Sequence, residues 1–260
     1  MASVYSNRFY LDQMAGSAAS ATVVLPIVFK ALGMPRAIVD VGGGTGTWAR
    51  VAQDLGVEQV KVLDGDYVPH DLLRVTPEDF IPTDLLRTIA MNAKFDLAVC
   101  LEVAEHLPPE RADSFVAELT ELSDHILFSA AIPGQGGDNH IHEAWLSEWV
   151  KKFSRHGMSV SDIVRPLVWD NPQVDWWYAQ NTVLFSRVTV GDSHSTAPLD
   201  IVHPRAWIAW GNEDNCVDRG VADNSTLGGL EGRLQVQLRA IGRTLPPRIR
   251  RVIKRAIATK

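Results

Sequence analysis

The chain has 260 residues, 46% of them hydrophobic and 22% charged, with a formal net charge of −6. That length supports one substantial core, with or without a C-terminal extension, and the composition is that of an ordinary soluble globular protein. The negative balance argues against wholesale nucleic-acid binding, which needs Lys and Arg to neutralise phosphates. No apolar run approaches the roughly 18–20 residues that span a bilayer. The nearest, Thr22–Leu32, is interrupted by Pro26 and Lys30. The N-terminal Met-Ala-Ser-Val-Tyr-Ser-Asn-Arg lacks the charged-then-apolar pattern of a secretory leader. Cys100 and Cys216 form neither a disulfide framework nor a zinc spacing, so a cytoplasmic protein with reduced thiols is expected.

Asp12–Leu32 reads as a helix in which Gly16 to Ala21 are small enough for close packing. It leads to Ile38-Val39-Asp40-Val41, predicted as a buried strand, then to Gly42-Gly43-Gly44-Thr45-Gly46 and a helix over Trp48–Leu55. Such glycines let a ligand reach main-chain N–H groups that β-carbons would shield, and the helix would aim its N-terminus at that ligand. A Gly-x-Gly-x-Gly loop alone is shared by nucleotide-binding folds of several kinds. Asp40 narrows the choice. An acid two residues before the first glycine would repel a pyrophosphate, yet it suits an ammonium group. S-adenosylmethionine has an ammonium and no phosphate. A second apolar run, Val60–Asp64, ends in an acid 18 residues beyond Gly46, placed to accept both ribose hydroxyls. Phe80–Leu85 puts Asp84 and Leu85 where an adenine can be read. The candidate cofactor residues are therefore Asp40, Gly42, Gly44, Asp64, Asp84, Leu85 and, ending the next strand, Leu101.

That next strand, Phe95–Leu101, runs into Glu102-Val-Ala-Glu105-His106-Leu-Pro108. A helix is predicted over Arg111–Leu122 and a strand over His125–Ser129. Residues 128–137 then read Phe-Ser-Ala-Ala-Ile-Pro-Gly-Gln-Gly-Gly, with His140 following. On these segments the chain resembles the class I S-adenosylmethionine-dependent methyltransferases. Over roughly residues 3–190 it resembles one bacterial branch of them that carries both segments. The resemblance implies an α/β fold, a Rossmann-like, doubly wound sheet of seven strands. Its remaining parts are legible as a helix over Ala144–His156 stopped by Gly157, and an antiparallel closing hairpin from Ser159–Val164 and Asn181–Val190. Thr189–Pro198 is a polar linker, so a cofactor-binding domain is assigned to 1–190 and a linker with C-terminal extension to 191–260. Within the extension, Ile241–Lys260 holds seven basic residues and no acid, with Ile249, Val252, Ile253 and Ile257 at helical spacing. Such a tail is compatible with weak contact to an anionic membrane surface, an acidic partner or its own acidic domain.

Glu102, Glu105 and His106 stand at i, i+3 and i+4. On a first helical turn they would share one face and offer half a shell to a divalent cation. The same pair of types can also pack beside a cofactor without any metal. The Glu-x-x-Glu-His pattern resembles the metal sites of the ubiquinone O-methyltransferases and of the plant small-RNA 2′-O-methyltransferases. In the latter a histidine from the loop after the next strand completes the shell. That resemblance implies a metal set of Glu102, Glu105, His106 and His140, with Mg²⁺ as the default and Mn²⁺ or Zn²⁺ admitted by the histidines. His140, His142 and Glu143 are the catalytic candidates, and spacing leaves open which histidine is ligand and which takes the proton. Here the chain departs from the branch, which usually reads His-Val-Asn-Glu-Gln-Trp. This one reads His140-Ile-His142-Glu143-Ala144-Trp145.

A cation would serve a sugar hydroxyl, which is a poor nucleophile while protonated; bound water falls from about 15.7 to about 7 in the extreme zinc case. Trp169, Trp176, Trp177 and Tyr178 offer faces for a pyranose ring, or packing for the core. The expected function is an S-adenosylmethionine-dependent, divalent-metal-assisted O-methyltransferase acting on a hydroxyl of a saccharide or polyol-bearing small molecule. The alternatives are a metal-independent N- or O-methyltransferase of a secondary metabolite, a nucleic-acid 2′-O-methyltransferase, and a non-catalytic binding module. A small-molecule or oligosaccharide acceptor is the expected partner, no nucleic acid is expected, and a homo-oligomer is compatible with the chain.

Overall fold

The computed structural model describes residues 7–188, 190 and 199–206, all within the first of two units into which the chain divides, Met1–Asn215. Cys216, the basic tail and most of the linker lie outside the described residues.

Seven strands form one sheet in the order β3-β2-β1-β4-β5-β7-β6. They are β1 (Ala37–Val41), β2 (Gln59–Asp64), β3 (Phe80–Pro82), β4 (Leu97–Leu101), β5 (His125–Ser129), β6 (Ser159–Ser161) and β7 (Val183–Ser186). The first five are parallel, and β7 runs antiparallel to both β5 and β6. Val39 on β1 pairs with Lys61 on one side and Ala98 on the other. Strand order therefore reverses between β1 and β4, and a crevice opens at their carboxyl ends, where open α/β sheets take ligands.

The central strands read as continuous apolar runs because helices cover both faces. On one face Ile38, Val60, Leu97 and Leu127 pack against α1 (Asn7–Leu32) through Ala21, Val24, Leu25 and Val28. On the other, Val39, Ala98, Cys100 and Phe128 meet Phe115 and Leu119 of α3 (Ala112–Leu122), and Trp149 and Phe153 of α4 (Leu146–Ser154). Burying each large apolar side chain of this kind contributes roughly 1.5–3 kcal/mol. The short helices α5 (Arg165–Val168) and α6 (Trp176–Asn181) precede β7, and α2 (Thr47–Asp54) follows the glycine loop.

The first helix differs from expectation in two ways. It begins at Asn7, five residues before the expected Asp12, and as expected it runs through Pro26; the second difference is its apolar length. Pro26 and Thr22, whose carbonyl loses its partner, both lie on the exposed side, where water can replace the missing bond. Over Met14–Leu32 this helix has a mean hydropathy of 1.6, so by length and composition it is long and apolar enough to cross a membrane. That corrects the reading of Thr22–Leu32 as a broken run. Its inner face is nevertheless core, with Ala21, Val24, Leu25 and Val28 fully buried. Helix α4 starts two residues late because Ala144 instead donates its N–H to Ala131.

Candidate active site

At the carboxyl ends of β1, β4 and β5 lies a cavity of about 460 Å³. Its floor is the loop after β1. A β-carbon on Gly43 would fall 2.5 Å from Cγ of Asp40, so the loop can fold over that carboxylate only as glycine. Asp40 and Gly42, Gly43 and Gly44 line the cavity, as does Leu101 at the end of β4. Asp40 is buried and its Oδ2 has no partner. Burial pushes its pKa up to about 7, the nearby charge of Asp64 adds to this, and the Ala49 amide opposes it.

Asp64 ends β2, as its sequence position implies, but lies behind the cavity wall. Its Oδ2 accepts the N–H of Gly44 at 2.7 Å. Its Oδ1 accepts the N–H of Gly65 at 2.6 Å and the Tyr67 hydroxyl at 2.8 Å. Burial raises its pKa, while Tyr67, Gly65 and Gly44 pull it back. Asp84 and Leu85 do not line the cavity. Strand β3 stops at Pro82 and the chain turns, so Asp84 is exposed, accepting the N–H of Leu86 and pairing with Arg87. Leu85 packs toward the core and gives its carbonyl to Arg111.

The acidic segment after β4 departs from the expected helical turn. Glu102 is left-handed, with φ 54°, and only Ala104–His106 forms a single 3₁₀ turn. Glu102, Glu105 and His106 therefore do not share one helical face. The Glu102 amide donates to both the carbonyl (3.1 Å) and the hydroxyl (3.0 Å) of Ser129. Its carboxylate lines the cavity while accepting Nε2 of Gln135 at 2.9 Å and Nδ2 of Asn181 at 3.1 Å. Burial raises its pKa, against the pull of Asn181, Ser129, Gln135 and His140.

Glu105, His106 and His140 do converge, each offering a ligand atom, all within 4.8 Å of one another. Glu105 is fully buried and its carboxylate finds no side-chain cation, with only the backbone amides of Glu105 and Ala131 pulling its pKa down. Burial, then the charge of Glu102, drive its pKa well above the usual carboxylate range. Nδ1 of His106 lies 3.3 Å from the carbonyl of Asn139, which can only accept, so this nitrogen carries the proton and Nε2 is left as the basic atom. Burial and His140 lower the His106 pKa to about 4, which keeps the ring neutral at pH 7. The two imidazoles meet edge to face, 4.9 Å apart.

The candidates at 140–143 divide by position. His140 lines the cavity. Gly137 curves beneath it with φ 146°, and a β-carbon there would collide with the His140 ring. Glu143 does not line the cavity, and its Oε1 lies 3.3 Å from Nδ1 of His140. His142, the residue by which the chain departs from its branch, faces elsewhere. Its ring packs on Trp149 at 5.3 Å and its Nδ1 is buried without a partner. Burial, and next Lys152, lower its pKa, and the acids that oppose them are Glu148 and Glu110 on the outer surface. His142 does not line the cavity.

Of the late aromatics, Trp176, Trp177 and Tyr178 line the cavity together with Met14 and Ser17 of α1, and the Tyr178 and Ser17 hydroxyls lie 3.2 Å apart. Trp169 instead packs against His203. Gln135 and Asn181, which hold Glu102, escape a search for charged or metal-binding types because an amide carries neither signature.

Residues 16–126, somewhat under half of the chain, match a protein-family model described as a methyltransferase domain. None of the curated proteins matches the sequence. Among solved structures, human N-acetylserotonin methyltransferase in complex with SAM is 13% identical, with 65% of this chain and 52% of that one covered, at TM-score 0.45. An O-methyltransferase family protein from Burkholderia thailandensis is 15% identical, covering 68% and 59%, at TM-score 0.46. The methyltransferase domain of bacterial CtHen1 is 18% identical, covering 66% and 100%, at TM-score 0.48. The chain thus spans 52% and 59% of the length of the first two.

Proposed function

We propose that this chain, a S-adenosylmethionine-dependent methyltransferase by its fold and family match, methylates a hydroxyl of a saccharide or polyol-bearing small molecule with the help of a divalent cation. One observation carries the metal part. Glu105 buries an entire carboxylate beside that of Glu102 with only backbone amides to oppose the cost, and among the described residues the ligand atoms grouped with it are those of His106 and His140. An unpaired buried carboxylate is costly, and it is relieved either by protonation or by a cation. Two imidazoles beside it favour the cation, because each can turn a ring-nitrogen lone pair toward it while its other ring nitrogen faces an acceptor, the Asn139 carbonyl for His106 and Glu143 for His140. The set fits Mg²⁺ or Mn²⁺, with Zn²⁺ admitted by its nitrogen content.

Bound there, the cation would act as a Lewis acid that makes the acceptor hydroxyl easier to deprotonate. The chain's own groups supply the rest. Asp40, whose Oδ2 lacks a partner at the cavity floor, would receive the cofactor's ammonium, and Gly42, Gly43 and Gly44 line the cavity beside it. Glu102 faces the same cavity from outside the three-residue cluster, so its carboxylate is the group that takes the hydroxyl proton. Trp176 and Trp177 would stack on the acceptor's C–H faces. In water-poor surroundings such fixed groups count for more than they do in solvent.

The test has two parts. Calorimetry should show S-adenosylmethionine binding with or without chelator, and methyl transfer to a panel of sugar and polyol acceptors should appear only with divalent metal. Transfer that proceeds in EDTA would favour the metal-independent secondary-metabolite reading instead.

A further inference from the structure

Behind Glu102 lie three buried amides, Gln135, Gln180 and Asn181, exposed by 6%, 1% and 3%. Their orientations are set from outside. The main-chain N–H of His203 can only donate, and it meets Oε1 of Gln180 at 2.7 Å. The NH₂ of Gln180 therefore turns inward, to Oε1 of Gln135 (3.2 Å) and Oδ1 of Asn181 (3.0 Å). The N–H of Ile132, also a fixed donor, meets the same Gln135 oxygen at 3.3 Å. Both remaining NH₂ groups then point at Glu102. Two backbone donors at one end thus oblige the network to present donors at the other, where they meet the two carboxylate oxygens of Glu102, while the NH₂ of Asn181 also reaches Oε1 of Gln135 at 2.9 Å. At such burial a reversed dipole has no water to compensate it.

The segment that carries His203 is anchored at several points. Asp200 accepts the N–H (2.9 Å) and hydroxyl (2.7 Å) of Ser147 at the start of α4. Arg165 donates to the carbonyl of Leu199 at 2.9 Å. Nδ1 of His203 accepts the N–H of Arg205 at 3.1 Å, so Nε2 carries the proton and donates to the carbonyl of Trp169 at 2.7 Å. Gln180 and Asn181 also end the helix that begins with Trp176 and Trp177, so one short element joins the aromatic wall to the amides.

We infer that residues 199–206 are a working part of the active site: the backbone amide of His203 orients Gln180, and Gln180, Gln135 and Asn181 act as positioning residues that hold Glu102 toward the acceptor. Its catalytic meaning rests on the reading of Glu102 given above.

A double-mutant cycle in the full chain tests it, read by thermal midpoint, S-adenosylmethionine affinity and turnover. Gln180→Glu can still accept from His203 but cannot donate inward, so it forces the amides to reverse and meet Glu102 with oxygen. It should lower kcat by about tenfold or more, the scale of misplacing a reacting group, with cofactor Kd changed by less than about twofold. In a Glu102→Gln background, where residue 102 can itself donate, its loss of thermal midpoint should shrink to less than half. Gln180→Met, which removes the dipole but keeps the volume, should lower the midpoint equally in both backgrounds. An equal Gln180→Glu penalty in both would overturn the inference and leave the segment as packing. Should Gln180→Glu not fold, Asp200→Ala loosens the exposed anchor: kcat falling with cofactor affinity intact supports the inference, and unchanged kcat overturns it. Failure of the unmodified protein to bind S-adenosylmethionine would count against the methyltransferase reading, while the midpoint cycle would still decide the network.

Discussion

Nδ1 of His140 lies 3.3 Å from Oε1 of Glu143, and the same carboxylate accepts the N–H groups of Gly134 at 2.6 Å and Gly136 at 2.7 Å. One side chain thus ties the histidine to the glycine-rich loop that follows β5. Burial alone would raise the Glu143 pKa, but the bonds from His140, Gly134 and Gly136 outweigh it and hold the group below its ordinary value. An anion at that point keeps the proton on Nδ1 of His140 and leaves Nε2 as the basic atom. A carboxylate behind a ligating imidazole fixes its tautomer and raises its basicity.

Glu143→Gln should therefore raise the metal concentration needed for half-maximal activity by about 10–100-fold, with saturating metal restoring much of the turnover. Glu143→Ala should do the same and also cost roughly 1–3 kcal/mol of stability, because two loop amides lose their acceptor. An activation curve for Mg²⁺ that superimposes on that of the unmodified protein would remove Glu143 from this role.

How far the sequence reaches is clearest at the two ends of the site. Ile38–Val41 with its glycines, and His125–Ser129, announce themselves because buried parallel strands are apolar runs and the turn chemistry is local. Glu102 does not. Helical spacing from Glu102 to His106 assumes an αR residue at 102, whereas the Ser129 carbonyl and hydroxyl capture its amide and turn it left-handed. The split between His140 and His142 is likewise tertiary. Ile141 and His142 both donate their N–H to the Glu105 carbonyl, which pins that stretch and leaves the His142 ring on Trp149. Asp84 stands outside the cavity for a simpler reason, since Pro82 ends its strand before the acid is reached.

Asp40 makes a pH prediction. Its folded pKa of about 7 lies above the ordinary carboxylate value of 3.8, so between those values the folded state holds a proton that the unfolded chain has lost. Stability should fall as pH rises through that window and level off above it. An arriving ammonium favours the ionised form, so S-adenosylmethionine binding near pH 7 should release protons. Calorimetry in buffers of different ionisation enthalpy would detect the release, and Asp40→Asn should abolish it and reduce the stability slope, of which Asp64, Glu102 and Glu105 supply the rest. Binding with no proton release at pH 6–7 would place the ammonium elsewhere.

Asp64→Ala should weaken S-adenosylmethionine binding by roughly 2–3 kcal/mol, the worth of charge-assisted bonds to a ribose diol. Since Tyr67 already occupies Oδ1, the tyrosine must yield that oxygen when ribose binds. Tyr67→Phe should then bind the cofactor at least as tightly as the unmodified protein. Titration of both variants checks the pair, and unchanged affinity in Asp64→Ala would assign the acid to holding Gly44 and Gly65 alone.

Trp176 and Trp177, set edge to face with centroids 5.7 Å apart, form the wall assigned to the acceptor. Trp177→Ala should raise the acceptor KM by about tenfold or more, the scale of losing an aromatic anchor, and leave kcat less affected. Equal loss of cofactor affinity would show that the wall serves S-adenosylmethionine instead.

The central claim is that Glu105, His106 and His140 hold a divalent cation that methyl transfer requires, and a chelation experiment tests it most directly. Turnover of a sugar acceptor should fall by about 10²-fold or more in EDTA, the scale of losing a positioned electrostatic group, while S-adenosylmethionine still binds. Mg²⁺ or Mn²⁺ should restore it in the unmodified protein, and not in Glu105→Ala or His106→Ala. Full turnover in chelator, with both residues replaceable by alanine, would contradict the account.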